Sequence, residues 1–425
     1  MAAFLSRILT FAALAAIAFA DGEDKAPLCD PGDGPDAVAL RPRLLRRADS
    51  FTCPVFRSWG GVTDTCSGDA IVWNNRTTLN KHVTLYYLPH DKVIVNSGAA
   101  YLKTAIDLIA GSLDTGMPLY QQWGAGTNIY FGIVGDHDAY GSARPEQENE
   151  KLKHCEVVVR YPDPTAPQSE ISLRTTKAAV HEFYHCVQYA QNLKGRNSGS
   201  SERRSWWMEG TARFFDGVIF PIPANINILG RGAFPEEYNP SVSLVEQSYE
   251  AALFWHYLVQ TGIKPSEVNA WVATKLGRNS VKEDLVDIEG TPLFANNWLG
   301  FAQAFVDNKI NYTASIPIPI VNRIAAPSPL QVSLSVGGKM NTTGSDVAGF
   351  TFNLRRVAFP ASTVHSLEPP KGTPCSVRLV GDSAWRPVSS AFNFTTNSEA
   401  AQVEVVCACN KSVACSSRFL IERSR

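Results

Sequence analysis

Two short stretches of the chain carry residues whose types and spacing suit metal chemistry. Residues 181–185 read HEFYH, and residues 206–212 read WWMEGTA. On an α-helix, positions i and i+4 share a face, so His181 and His185 can bind one metal ion together. Glu182 follows the first histidine and can reach a metal-activated water as a general base. The H-E-x-x-H spacing therefore predicts a metal-binding helix with hydrolytic chemistry.

The sequence around the histidines predicts a helix with two distinct faces. No Gly or Pro occurs in Lys177–Asn192, and the pair Thr175–Thr176 supplies candidate N-caps. Apolar residues recur at helical spacing, at Val180, Phe183, Val187 and Ala190. These residues form the expected buried stripe. His181, His185 and Gln188 fall on a different face, which we expect to look into a cleft.

A catalytic zinc ion needs a third protein ligand, with the fourth position left for water. The metzincin pattern requires Gly and His three and six residues after the second histidine, where this chain has Gln188 and Gln191. The aspzincin pattern requires an Asp soon after a Gly-Thr pair, but Ala and Arg follow Gly210–Thr211. The remaining candidate for the third ligand is Glu209, on a second, short helix after His185.

The stretches HEFYHCVQY and WWMEGTARFF together resemble those of the gluzincin metallopeptidases, in which a second helix carries a glutamate ligand. The resemblance is close from Thr175 to Phe215. It implies that His181, His185 and Glu209 bind Zn²⁺ and that Glu182 is the catalytic base. It also implies an α+β zincin-like catalytic domain, with a mixed sheet packed on the metal-binding helix and a mostly helical lower subdomain. The edge strand of such a sheet can bind an extended peptide as an additional strand.

The second helix also carries residues that can support the ligands. Trp206 and Trp207 are expected to fix it by burying apolar surface, and Gly210 to allow close backbone approach to the first helix. In some gluzincins an acidic residue four positions after the glutamate ligand orients a ligating histidine. Here that position is Arg213, and Asp216, one turn further on, is the candidate for this role.

An aromatic-rich helix is predicted from Ser248 to Thr261, and it resembles the helix that follows the glutamate ligand in several gluzincin groups. Tyr249, at its start, is a candidate catalytic residue that stabilises the oxyanion of the reaction. Core packing is the alternative interpretation of Tyr249. His256 can play the same catalytic role but lies two turns deeper in the helix.

The chain divides into segments of different character. Residues 1–20 are typical of a secretory signal peptide, with Arg7 before a short apolar run. Residues 21–50 form a flexible leader or a short propeptide, in which the Cys29 thiolate can cap the zinc ion. Three further segments are predicted: a zincin-like metallopeptidase domain at 51–315, a Pro-rich linker at 316–328, and an all-β sandwich domain at 329–425.

Nine cysteines in an exported chain predict disulfide bonds. Spacing suggests the pairs Cys53–Cys66, Cys409–Cys415, Cys155–Cys186 and Cys375–Cys407, although connectivity does not follow from spacing. N-x-Ser/Thr sequons begin at Asn75, Asn311, Asn341, Asn393 and Asn410. They suggest a glycoprotein if the source is eukaryotic.

Composition narrows the class of function. The formal net charge of −1 gives no sign of nucleic-acid or membrane-surface binding, and no stretch after the signal is apolar for the ~18 residues that a membrane span needs. We expect a secreted, extracellular, monomeric zinc metalloendopeptidase that acts on protein or peptide substrates, without nucleic-acid partners or stable membrane insertion. The alternative is a secreted binding protein on a zincin scaffold, with an inactive or structural metal site and the β-sandwich as its functional part. Hydrolysis of a non-peptide amide at the same zinc is a third possibility.

Overall fold

The computed structural model of the chain describes residues 74–79, 83–87, 127–131, 141–148, 151–159, 168–192, 201–219, 237–275, 280–313, 316–318, 320, 324, 327–342, 346–396 and 399–424. All of these belong to one compact unit, Trp73–Arg425. The predicted signal peptide, the leader and the Cys53–Cys66 pairing lie outside the described residues. Among the helices that are described, none combines the length and the apolar character needed to cross a membrane.

A five-stranded mixed sheet comes first, in the order β1-β2-β3-β5-β4. Its strands are β1 (Asn74–Leu79), β2 (Val83–Tyr87), β3 (Thr127–Phe131), β4 (Gly141–Glu148) and β5 (Lys151–Val159). Strands β2, β3 and β5 are parallel, whereas β1 and β4 run antiparallel to their neighbours. Strand β4 lies at one edge of the sheet. It contains Pro145, which lacks an N–H and is tolerated in strands mainly at edges.

Helix α1 spans Gln168–Gln191 and packs on β4 and β5. The predicted start at Thr175–Thr176 is wrong, because the helix begins seven residues earlier, directly after Pro167. No Gly or Pro interrupts the chain between that proline and the end of the helix, so the earlier turns can also form. The predicted disulfide bond between Cys155 and Cys186 is present and ties β5 to α1.

Helix α2 spans Ser201–Ile219 and is longer than the short helix that the sequence predicts. It is anchored by the buried side chains of Trp206, Trp207, Phe214 and Phe215, which confirms the expected burial of the tryptophans. A Cβ atom at Gly210 would lie 2.9 Å from the Cβ of Ala251 and 3.2 Å from the carbonyl oxygen of Ser248. The close approach is therefore to the segment before the next helix, and the prediction that it involves α1 is wrong.

The chain then forms two short 3-10 turns, Leu244–Glu246 and Tyr249–Ala251. Five described helices follow: α3 (Ala252–Gln260), α4 (Pro265–Thr274), α5 (Val281–Glu289), α6 (Pro292–Ala295) and α7 (Trp298–Val306). The ring of Trp206 on α2 stacks on that of Trp255 on α3. The Lys275 ammonium lies 5.2 Å from the Trp206 ring, a cation–π contact. These contacts hold α2 against the helices that follow it.

The remaining strands form a small hairpin and two larger sheets. The strands are β6 (Asn311–Thr313), β7 (Ile316–Pro317), β8 (Leu330–Gln331), β9 (Lys339–Asn341), β10 (Phe352–Phe359), β11 (Val364–Glu368), β12 (Cys375–Leu379), β13 (Arg386–Val388), β14 (Phe392–Thr395), β15 (Ala401–Ala408) and β16 (Leu420–Arg423). β6 pairs with β7, and the two larger sheets have the orders β13-β12-β15-β10-β8 and β14-β11-β16-β9. Their inward side chains, such as Val405 and Ile421, share one core. The predicted bonds Cys375–Cys407 and Cys409–Cys415 are both present.

The sheet β13-β12-β15-β10-β8 packs directly on helix α7. Trp298 of α7 contacts the rings of Phe350 and Phe352, and its indole N–H donates to the carbonyl oxygen of Thr351 at 3.3 Å. At the end of the same helix, Asp307 accepts a hydrogen bond from Arg378 at 2.6 Å. This sheet and the helix therefore share an interface of aromatic rings and charge-assisted hydrogen bonds.

The disulfide bond that holds α1 to the sheet should contribute more stability than the one near the C-terminus. Cys155 and Cys186 are separated by 31 residues, whereas Cys409 and Cys415 are separated by 6. Loop-closure entropy then gives about 4 kcal/mol for the longer loop and about 2 kcal/mol for the shorter. Replacing the first pair by alanine should lower the melting temperature, followed by circular dichroism, more than replacing the second pair. The opposite order would contradict the importance of this clamp.

Candidate metal centre

Three donor atoms from α1 and α2 converge on one point. The Nε2 atoms of His181 and His185 lie 3.1 and 3.2 Å from the same atom, Oε2 of Glu209. The three donor atoms lie within 4.8 Å of one another. Bonds of ~2.0–2.1 Å in tetrahedral geometry place neighbouring donors about 3.3 Å apart. Two imidazoles and one carboxylate are a donor set of catalytic zinc sites, so these residues fit such an ion.

The tautomer of His185 is set by a chain of hydrogen bonds from α2. The side-chain amide of Gln188 donates to the Met208 carbonyl at 2.9 Å and to the Thr211 hydroxyl oxygen at 2.8 Å. The Thr211 hydroxyl itself donates to the Trp207 carbonyl at 2.6 Å. The oxygen of Gln188 is thereby left as an acceptor, 2.7 Å from His185 Nδ1. His185 must donate from Nδ1, which leaves its Nε2 lone pair for a metal ion.

His181 has a charged partner at its Nδ1 atom. Oδ2 of Asp216 lies 3.4 Å from this nitrogen. Lys177 and Arg213 lie 3.2 and 3.1 Å from the same carboxylate, and all four side chains are buried. Burial would raise the pKa of Asp216, but the two cations hold it well below its usual range. Asp216 is therefore an anion placed to orient His181, and Arg213 helps to hold it there.

The protein's own charges favour protons on the ligand histidines. Burial would lower the pKa of His181, but Asp216 and Glu209 outweigh this effect and raise it to about 10. Burial likewise opposes the raised pKa of His185, for which the charge of Glu209 is the chief cause. Burial would raise the pKa of Glu209, but the imidazoles, His185 first, hold it well below its usual range. A cation has to displace these protons, so its affinity should rise with pH.

Glu182 lies between the candidate metal ligands and the edge strand β4. It accepts a hydrogen bond from the backbone N–H of Ala143. A Cβ atom at Gly141 would lie 2.6 Å from the Cγ of Glu182, so only glycine leaves room for this side chain. Burial raises the pKa of Glu182, while the ligand histidines partly offset the effect. A carboxylate with a raised pKa is a better general base near neutrality.

Tyr249 approaches the ligands from the 3-10 turn before α3. Its ring stacks on His181 with 5.6 Å between centroids, and its hydroxyl is within hydrogen-bonding reach of Glu209. The side chain is 36% exposed, so it is open to a bound molecule. Burial first, and then the carboxylates of Glu209 and Glu182, raise the pKa of the phenol above its ordinary value. The hydroxyl therefore remains a hydrogen-bond donor.

His256 is placed differently from Tyr249. Its ring packs between those of Phe214 and Tyr312, each at 5.0 Å, and it is almost fully buried. Burial lowers the pKa of His256 to about 3, so it is neutral. The structure thus brings together His181, His185 and Glu209 with Glu182 and Tyr249, while His256 belongs to the aromatic core.

Sequence reasoning missed several residues that position the site. The sequence predicts Gln188 on the cleft-facing side of α1, but its side chain is buried and contacts α2, a role that the sequence did not suggest. Its position three residues after His185 is the available sequence signal, because i and i+3 side chains are neighbours on a helix. Gly141 and Ala143 carry no comparable signal, since only the pairing of β4 with β5 brings them to Glu182.

Removing the acceptor behind His185 should weaken metal binding without breaking the fold. Gln188→Met should lower zinc affinity about 10–100-fold, the effect typical of losing such a partner, because His185 loses its fixed tautomer. Competition with a chromophoric chelator measures the affinity. Gln191→Met is the matched control, because Gln191 lies one turn further along α1 and its Oε1 has no hydrogen-bond partner among the described residues. Equal affinities in the two variants would contradict the role of Gln188.

The chain matches no protein-family model, and no curated protein matches it significantly. The case for this site therefore depends on the atoms of the chain itself. Two imidazole nitrogens and one carboxylate oxygen converge. An oxygen acceptor lies at the other ring nitrogen, Nδ1, of each imidazole. This is the arrangement of a candidate metal centre with a carboxylate base at its side.

Proposed function

We propose that the chain is a secreted zinc-dependent endopeptidase of gluzincin type. The observation that carries the proposal is the convergence of His181, His185 and Glu209 on one point, with Glu182 beside them and against an edge strand. Two histidines one helical turn apart bind one ion only if a third donor reaches the same point. The H-E-x-x-H pattern supplies both the pair and the adjacent carboxylate.

The chemistry divides between the ion and the protein. Zinc, when bound, would polarise the scissile carbonyl and make a water molecule acidic. Glu182 then accepts the proton of the attacking water and passes it to the departing nitrogen of the peptide bond. The N–H of Ala143 holds the Glu182 carboxylate in place for both transfers. The raised pKa of Glu182 favours its holding that proton between the two steps.

Tyr249 supplies a second interaction with the reacting group. The residue is partly exposed and its hydroxyl is a donor beside the candidate ligands, so it can hydrogen-bond the oxygen on which negative charge develops. The same oxygen is a weaker acceptor in the substrate than in the transition state. The interaction therefore favours the transition state selectively.

The edge strand β4 supports a peptide as the substrate. The N–H of Ala143 donates to Glu182, so in an antiparallel strand the backbone of Gly141, Ala143 and Pro145 is directed away from β5. Pro145 has no N–H, which leaves carbonyl oxygens as the main groups on this part of the edge. An extended peptide can donate its own N–H groups to these oxygens and lie across the metal ligands.

Three disulfide bonds among the described residues support export to an oxidising compartment. Cys186 follows His185 directly in the sequence, and its bond to Cys155 clamps the metal-binding helix to the sheet. Reducing conditions would loosen that clamp. An extracellular location is therefore part of the proposal.

Glu182→Gln should strongly reduce turnover while leaving the metal site intact. The amide has nearly the shape of the carboxylate but cannot accept a proton, so we expect kcat to fall about 10²–10⁴-fold. Cleavage of an unfolded, fluorescently labelled protein, with zinc content measured on the same samples, tests this. Glu246→Gln, an exposed carboxylate outside the site, is the matched control.

Two outcomes would contradict the proposal. Zinc-loaded wild-type protein that cleaves neither unfolded protein nor a peptide library would remove the peptidase assignment. Retained activity in Glu182→Gln would remove Glu182 from the mechanism.

In the same assay Tyr249→Phe should lower kcat with little change in KM, because the hydroxyl acts mainly in the transition state.

A further inference from the structure

The N-x-Ser/Thr sequons of the C-terminal region differ in their position and in their exposure to solvent. Asn341 lies at the end of β9, and Asn393 lies within β14. These strands are the two edges of the four-stranded sheet β14-β11-β16-β9. Both asparagines are exposed. Asn410 is half-buried and lies in the loop closed by the Cys409–Cys415 disulfide bond.

Asn341 and Asn393 point away from the core of the two sheets. Met340 on β9, and Phe392 and Phe394 on β14, pack against the shared hydrophobic core. Successive side chains of a strand point to opposite faces. The two asparagines therefore project from the outer face of the same sheet, one at each edge.

The outer face between them is polar. A cross-strand row runs from Asn393 through Ser366 and Glu422 to Lys339, and the last two form an ion pair at 3.0 Å. Strands lie ~4.8 Å apart, so this row spans roughly 14 Å from edge to edge. Asn341 lies two residues along β9 from Lys339. Two substituents at these asparagines would cover the face from both sides.

Asn410 is engaged with the helices. Its side-chain nitrogen donates to the carbonyl oxygen of Ala295 on α6 at 3.2 Å. Ser412, the hydroxyl residue of this sequon, donates its backbone N–H to Glu289 on α5 at 2.8 Å. A sugar would replace one of the two hydrogens of this nitrogen and would have to fit between the loop and α6, whereas the side chains of Asn341 and Asn393 face solvent. The folded structure therefore disfavours modification at Asn410.

We propose that Asn341 and Asn393 carry N-linked glycans and that Asn410 does not. The proposal rests on export through a glycosylating secretory pathway. The donor is a lipid-linked oligosaccharide diphosphate. A bond forms between the asparagine amide nitrogen and C1 of the sugar, and the bond from C1 to the diphosphate oxygen breaks. The nitrogen gives up one proton, and the lipid diphosphate leaves with the bonding electrons.

The glycans have a physical consequence at the sheet edges. Edge strands expose unpaired backbone groups and are templates for pairing between molecules. A bulky hydrophilic group on β9 and another on β14 obstruct such pairing at both edges of this sheet. The outer face is thereby kept in solvent, and the chain remains monomeric.

Site-resolved peptide mapping tests the assignment. The full chain, secreted from eukaryotic cells behind a heterologous signal peptide, is deglycosylated enzymatically in ¹⁸O-water, which marks each formerly glycosylated asparagine. We expect the mark at Asn341 and Asn393 in most molecules and its absence at Asn410. Modified Asn410 in the folded protein, or unmodified Asn341 or Asn393, would overturn the proposal.

A matched pair of variants separates the glycan from the asparagine. Thr395→Ala destroys the sequon at Asn393 and keeps the asparagine, whereas Thr395→Ser preserves the sequon. We expect the first variant to lose one glycan and to self-associate at high concentration in light-scattering measurements, and the second to behave like the wild type. Loss of the glycan without any self-association in Thr395→Ala would overturn the protective role at the edge.

Discussion

The hydrogen bonds at the Nδ1 atoms of His181 and His185 are the interactions on which the rest of the site depends. A ring that donates from Nδ1 has its Nε2 lone pair available, and both Nε2 atoms then face Glu209. The acceptor Asp216 belongs to α2. The acceptor Gln188 belongs to α1 and donates a hydrogen bond to α2. The packing of α1 on α2 therefore also sets the orientation of the two histidine rings.

The carboxylates of the site differ in whether nearby cations of the protein neutralise them. Asp216 is surrounded by Lys177 and Arg213, so its charge is neutralised within the protein. Glu209 and Glu182 face the imidazoles without a comparable pair of permanent cations in the described interactions. Such carboxylates are costly to bury unless protons or a cation compensate them. A divalent ion would supply that compensation, which is why the donor set and the charge pattern support the same proposal.

Sequence reasoning located the candidate site better than the scaffold. The candidate ligands His181 and His185 follow from residue types at helical spacing, whereas Glu209 was chosen because the other ligand patterns failed and the second stretch resembles that of a known family. The structure brings the three side chains together. Strand β4 was not predicted, because the sequence GSARPEQE has neither apolar alternation nor β-branched residues. Its place is fixed only by pairing with β5 and by the room that Gly141 leaves for Glu182.

The C-terminal sheets show the same limit. The sequence predicts strands at Gly349–Phe359, Ser376–Val380, Ala391–Thr395 and Gln402–Cys407. Strands β10, β12, β14 and β15 overlap these segments, since their apolar residues are dense in the sequence. The sequence also predicts a strand at Gln331–Val336, which is wrong beyond its first residue, and it gives no prediction for β11 and β16. Leu367 lies among polar residues in VHSLE, and Ile421 lies in LIER, which is too short to show an alternating pattern. Both become recognisable as core residues only through contacts with distant strands. Long-range pairing of this kind is not encoded in local periodicity.

Zinc content is the most direct test of the central claim, because it requires no knowledge of the substrate. The full chain would be secreted and purified without chelators, and zinc per chain would be measured by inductively coupled plasma mass spectrometry. The account predicts one zinc ion per chain in the wild type, unchanged in Glu246→Ala and largely lost in Glu209→Ala, with all three proteins folded. Folded wild-type protein that binds no zinc when the metal is supplied, or full zinc content in Glu209→Ala, would contradict it.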